Sequence, residues 1–89
     1  MFPAVPGIPS NVRITDATTD SISLAWDAPE SDGGATIKQY VIVIREVTRK
    51  KYRKAAKVDG NALSCTVSAG IEENQEYFIK VYAENEARL

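Results

Sequence analysis

Three sets of side chains in this chain have the type and spacing to do chemistry: Cys65, the loop acids Asp27, Glu30 and Asp32, and the neighbours Glu72 and Glu73. A cysteine becomes a nucleophile when a base or nearby cation draws off its proton. The chain has no histidine. Cys65 alternates with Leu63 and Val67 against Ser64, Thr66 and Ser68, the pattern of a small packed residue. The three loop acids are the one candidate for a metal site. Calcium takes about six to eight oxygen ligands, so this set falls short and reads as turn caps. Glu72 and Glu73 read as a solvated turn rather than an acid/base pair. No phosphate loop or nucleotide fingerprint occurs. The chain is therefore expected to be no enzyme and to use no cofactor and no metal.

Charge offers more than reactivity does. Arg49, Lys50, Lys51, Arg53, Lys54 and Lys57 put six of the eleven cations within nine residues. Such a run either attracts an acidic protein, a phosphorylated segment or another polyanion, or it is a solvated hairpin whose lysines guard a strand edge. Net charge is −1 and the isoelectric point is near 5.4, so no global field favours nucleic acid or an anionic membrane.

The elements that must position these groups follow from length and period. Eighty-nine residues make one domain. A chain of this size buries only about 60–65% of its unfolded surface, so a few large side chains must carry the core. Apolar residues at 44% and charged residues at 26% are ordinary for a globular domain. No apolar run approaches the roughly 18 residues of a membrane span. The first residues lack the basic segment and long apolar stretch of a signal peptide. A single cysteine excludes an internal disulfide. These features suit an intracellular protein, and an isolated module of a secreted one would share them.

Residues 1–9 hold three of the four prolines and read as a stiff lead-in; residues 10–89 read as a single module. Six runs carry strand signals. Asn11 to Thr15 puts Val12 and Ile14 on one side. Ser21 to Trp26 alternates, with Ile22, Leu24 and Trp26 inward and Ser21, Ser23 and Ala25 outward. A dense turn signal spans Asp27 to Gly34. Gln39 to Glu46 is rich in β-branched residues, Lys51 to Val58 is weaker, and a turn at Asp59-Gly60-Asn61 precedes the run around Cys65. Gln75 to Asn85 reads as the longest strand, with Tyr77, Ile79, Val81 and Ala83 on one face. Short strands with frequent turns predict an all-β sandwich.

Taken in register, these pieces resemble the fibronectin type III module. The matching residues are Pro9, Val12 and Ile14, then Leu24-x-Trp26 and Pro29. Asp32-Gly33-Gly34, Ile37 and Tyr40-x-Ile42 follow, then Val67, Ile71, and Tyr77-x-Ile79-x-Val81-x-Ala83-x-Asn85. The turn from Pro29 to Gly34, the Cys65-x-Val67 pair and Ala83-Glu84-Asn85 look most like modules of titin-like giant muscle proteins. Tyr52 stands where many such modules carry Trp, and Arg88 stands where a Gly is usual. The resemblance implies an immunoglobulin-like two-sheet sandwich. It also implies a seventh strand that would begin near Leu89, and so is expected to be clipped, disordered or supplied by another chain.

By the same resemblance, Trp26 lies between the sheets against Tyr40, Ile42, Ile79 and Val81, while the Tyr77 hydroxyl bonds backbone near Ile71. The family register turns Val41 and Val43 outward beside Phe78 and Tyr82, an apolar exterior patch that either marks a protein interface or stabilises the sheet. The implied function is a structural and protein-binding module of an intracellular muscle scaffold, in the sarcomere. The implied partners are neighbouring immunoglobulin-like or fibronectin type III modules and filament proteins such as myosin. An open strand edge would add self-association. An extracellular adhesion or receptor module is the alternative; neither nucleic acid nor membrane is an expected partner.

Charge reversal at Lys50, Lys51 and Lys54 is expected to leave stability within about 1 kcal/mol of the parent, as for exposed sites. Urea denaturation followed by circular dichroism reads this; a larger loss would make the basic segment structural.

Overall fold

The computed structural model describes residues 7–31, 33–34, 36–68 and 70–86. Six strands follow in chain order: β1 (Ser10–Ala17), β2 (Ile22–Asp27), β3 (Ile37–Glu46), β4 (Arg53–Asp59), β5 (Ser64–Val67) and β6 (Tyr77–Asn85). They form two antiparallel sheets of order β1-β2-β5 and β4-β3-β6. The all-β two-sheet sandwich is therefore as the sequence predicts. Pro3 and Pro6 of the lead-in, Asp32, Arg88 and the start of any seventh strand at Leu89 lie outside the described residues.

The chain changes sheet after β2, after β4 and after β5. Each crossing needs a turn whose polar backbone is satisfied. After β4, Asn61 N donates to Asp59 Oδ1 at 2.9 Å and Ala62 N donates to the Asp59 carbonyl at 2.9 Å. Gly60 N donates to the Lys38 carbonyl at 3.0 Å. A side chain at Gly60 would run into the backbone carbonyl of Ile37, so the close approach requires glycine there. After β5, the Tyr77 hydroxyl accepts from Glu72 N at 2.9 Å and donates to the Gly70 carbonyl at 3.2 Å. One phenol thus ties the start of β6 to the loop that crosses between sheets.

Period two puts alternate side chains of each sheet into the space between them. Leu24 and Trp26 from β2 meet Tyr40, Ile42 and Ile44 from β3, with Val67, Ile71, Val81 and Ala83 completing the cluster. Trp26 is 1% exposed and packs edge-on to Tyr40, with ring centroids 5.3 Å apart at 61°. Its indole N–H has no acceptor among the described residues. Trp26 therefore contributes through volume and contact rather than through a hydrogen bond. Ile79 and Tyr77 are half-buried and pack against this cluster.

The structure departs from the sequence reading in three places. The strand assigned from Gln75 begins at Tyr77, and β3 with 10 residues is longer than β6 with 9. Ala25, expected to face outward, is only 9% exposed. It is a small residue in the central strand between Arg13 and Ser64, and its neighbours cover it. β1 is exposed along its whole length, Val12 and Ile14 included. Its pairing with β2 shifts register twice, and Asn11 takes a φ of 53°. Such irregularities interrupt the alternation that a flat strand would keep.

Trp26→Ala is expected to cost about 3–5 kcal/mol, against a total of about 5–15 kcal/mol for a domain. Circular dichroism in rising urea should show a midpoint far below that of the parent; an unchanged midpoint would mean that the sheets close without the indole.

Candidate protein-interaction surface

The reactive groups scatter rather than converge. Cys65 is partly buried against the core; its Sγ lies 3.7 Å from the Thr66 carbonyl oxygen. Burial pushes its thiol up from the ordinary value, which lowers the thiolate fraction at any given pH. Asp27 is engaged with Asn11 Nδ2 at 3.3 Å and Arg13 at 3.7 Å. Among the described residues no three His, Cys, Asp or Glu side chains come together as a metal site would need. Glu72 and Glu73 are exposed in the loop before β6. Burial also pushes the Tyr40 phenol up, so it stays neutral inside the sandwich.

The outer face of β4-β3-β6 is where chemistry accumulates. Register sets its rows. Val41 sits between Lys57 and Tyr82, Val43 between Lys54 and Lys80, and Arg45 beside Phe78. Tyr52, just before β4, reaches the same face. The Arg45 guanidinium lies 4.6 Å from the Phe78 ring centre and 5.5 Å from that of Tyr52, and the Lys80 ammonium lies 4.6 Å from the Tyr52 ring centre. Cations over ring faces are held by the ring quadrupole, for about 0.5–1 kcal/mol each at exposed sites. A row of Asp59, Gln39 and Glu84 bounds the face at one end, with Gln39 Nε2 donating to Glu84.

This arrangement revises both sequence-predicted patches. Val41 and Val43 are 5% and 9% exposed, so they are not an open apolar surface. They lie in the central strand, and the long side chains flanking them on β4 and β6 lie over them. Phe78 and Tyr82 remain exposed, at 47% and 46%. The six-cation run also divides. Lys54 and Lys57 join the outer face. Arg53 pairs in register with inward-facing Ile44, and its guanidinium fills the space where a side chain at Gly70 would stand. Gly70 has a φ of 72°, so both conformation and space call for glycine. Arg49, Lys50 and Lys51 belong to the β3–β4 hairpin, where Arg49 Nε pairs with Glu46 at 3.0 Å. Arg45, Lys80 and Tyr52 are members of this surface that the sequence reading left out. Period two from Val43 to Arg45, and from Phe78 to Tyr82 through Lys80, would have placed the first two.

A second apolar feature lies between the sheets. Among the described residues β1 pairs only with β2, and β6 only with β3. The facing edges leave a groove lined by Ile8, Val12, Ile79 and Val81.

Residues 7–88 match the family described as "Fibronectin type III domain". Titin of Drosophila melanogaster is 34% identical over 84 residues, which is 94% of this chain and, to the nearest whole per cent, 0% of that protein. The cardiac-type myosin-binding protein C of Gallus gallus is 32% identical over 81 residues, 90% of this chain and 6% of that protein. The chain thus spans a small fraction of the length of the curated relatives it matches. Among solved structures, titin domains A168–A170 superpose with a TM-score of 0.86 at 28% identity, covering 94% of this chain and 28% of that one.

Native Cys65 is expected to react with iodoacetamide well below the rate of the urea-unfolded chain at the same mildly alkaline pH. Because the folded thiol titrates higher, its contribution to stability is full below the ordinary thiol value and is lost as pH rises through the folded one. Equal alkylation rates would show an open, normally titrating thiol.

Proposed function

Because the chain belongs to the fibronectin type III family, we propose that it is a non-catalytic structural and protein-binding module of a multi-domain intracellular muscle scaffold, spacing and presenting interaction surfaces. The observation that carries this reading is the disproportion of coverage. Nearly the whole of this chain aligns with titin, and that alignment occupies 0% of titin to the nearest per cent. One such unit is a single bead of a very long chain.

The fold supports the role in physical terms. A densely packed two-layer body deforms little, so it keeps the surfaces on its two sheets at fixed separation. Likeness to myosin-binding protein C motivates filament proteins such as myosin as partners, beside adjacent immunoglobulin-like or fibronectin type III modules. Among the described residues β6 pairs with a strand on one side only, and the groove along its other side offers a place for an added strand, a route to self-association. The location on this reading is the sarcomere.

An antibody raised against the β3–β4 hairpin is expected to give periodic striations on permeabilised muscle of the source organism. Its immunoblot band should lie far above the 9.7 kDa of this chain. Labelling of intact, unpermeabilised cells instead would overturn the proposal in favour of an adhesion or receptor module.

A further inference from the structure

The small net charge conceals a sharp separation. Of the eleven Lys and Arg, nine lie in residues 37–59 or in β6, together with only three of the twelve acids: Glu46, Asp59 and Glu84. Elsewhere the described residues hold Arg13 as their one cation against eight acids. One sheet and its hairpin are therefore basic, while the rest of the molecule is acidic.

We propose that the outer face of β4-β3-β6 is a docking surface for an acidic, extended segment of a partner protein that turns carboxylates at every second position toward the sheet, with apolar side chains beyond them on the same side of the segment. The proposal rests on reading the chain as a protein-binding module and names the chemistry of what it binds.

Four cations point to this occupant by their placement. Lys57 marks one row of the face, Lys54 and Lys80 the next, and Arg45 the third. Rows on one face of a sheet are two residues apart, roughly 7 Å, which is also the spacing of alternate side chains in an extended peptide. An acid at every second position would therefore meet a cation at every row. Among the described residues no carboxylate lies within ion-pair distance of Arg45, Lys54, Lys57 or Lys80. Their charge is thus not neutralised by a carboxylate, although Arg45 also donates to the Arg49 carbonyl. Arg45 and Lys80 are already held over aromatic rings, so less side-chain freedom is lost when they engage.

Apolar chemistry separates a peptide from a simple polyanion. Phe78 and Tyr82 are half-exposed at the β6 margin of the basic rows. They offer area to apolar side chains that the segment turns to the same side as its carboxylates, and no recognition to a phosphate backbone. A long nucleic acid would also overrun the face and meet the Asp59–Gln39–Glu84 row at one end and the acidic remainder beyond. A short segment that covers three rows avoids both.

The test uses a fluorescein-labelled peptide, Leu-Ser-Glu-Ser-Glu-Ser-Glu-Ser-Leu, whose glutamates and leucines share one side when extended, titrated into the whole chain and read by anisotropy. Amide chemical shifts provide the map. Binding is expected with shift changes confined to β3, β4 and β6, around residues 41–45, 54–57 and 78–82. Lys54→Glu with Lys80→Glu should weaken it at least about tenfold and flatten its salt dependence. Tyr82→Ser should weaken it while leaving the salt dependence unchanged. Urea midpoints close to that of the parent show that both variants fold; Phe78→Ser replaces Tyr82→Ser should the latter not. Equal affinity for the same peptide with serine in place of both leucines, or for a single-stranded DNA of equal charge, would overturn the proposal. So would shift changes on β1-β2-β5, or burial of the face by a second copy in sedimentation. Each of those results leaves the muscle location untouched, because striation is read independently of this face.

Discussion

The closure of two sheets over Trp26 is the constraint on which the remainder of the molecule rests. With only a small core available, one indole at the centre supplies a large share of the buried apolar area. It contacts Tyr40 edge-on and shares one cluster with both β2 and β3, so it joins the layers rather than one strand to its neighbour. Each surface property described here depends on that join. The outer face of β4-β3-β6 keeps its rows of side chains in place because its inner face is clamped.

The inner face was legible in the primary structure. Leu24-x-Trp26 and Tyr40-x-Ile42 alternate with a period of two, and these are the residues that form the shared core cluster, although Ala25, Val41 and Val43 between and beside them are covered as well. The outer face was legible only in part, because covering depends on which residues stand across a strand pair. Val41 and Val43 look exposed in a linear reading. They become covered once Lys57 and Tyr82 flank one, and Lys54 and Lys80 the other. Likewise, six cations adjacent in sequence form no single patch, because neighbours along a strand face opposite ways. Arg53 turns toward Gly70 while Lys54 turns to the outer face. β1 was legible as a strand, but its exposure was not, for another reason. Its alternation is intact on paper, yet two register shifts and a left-handed Asn11 break it in space.

Membership of the fibronectin type III family accounts for the body of the molecule, which is similar to one module's length of titin and of myosin-binding protein C. Neither the membership nor the similarity explains the particular side chains on the basic sheet. The body needs alternating apolar residues inward and tolerates nearly anything outward. Arg45, Lys54, Lys57 and Lys80 are therefore where individuality can reside without disturbing the fold. The same holds for Tyr52, which anchors two cations without joining the buried cluster.

An isoelectric point near 5.4 describes this chain poorly. Its net charge is only −1, yet positive and negative groups occupy different parts of one small body. From afar such a particle is almost neutral to a charged filament. Within a Debye length it experiences torque, and turns its cationic layer toward negative surfaces before any contact is made. Orientation would thus precede attachment.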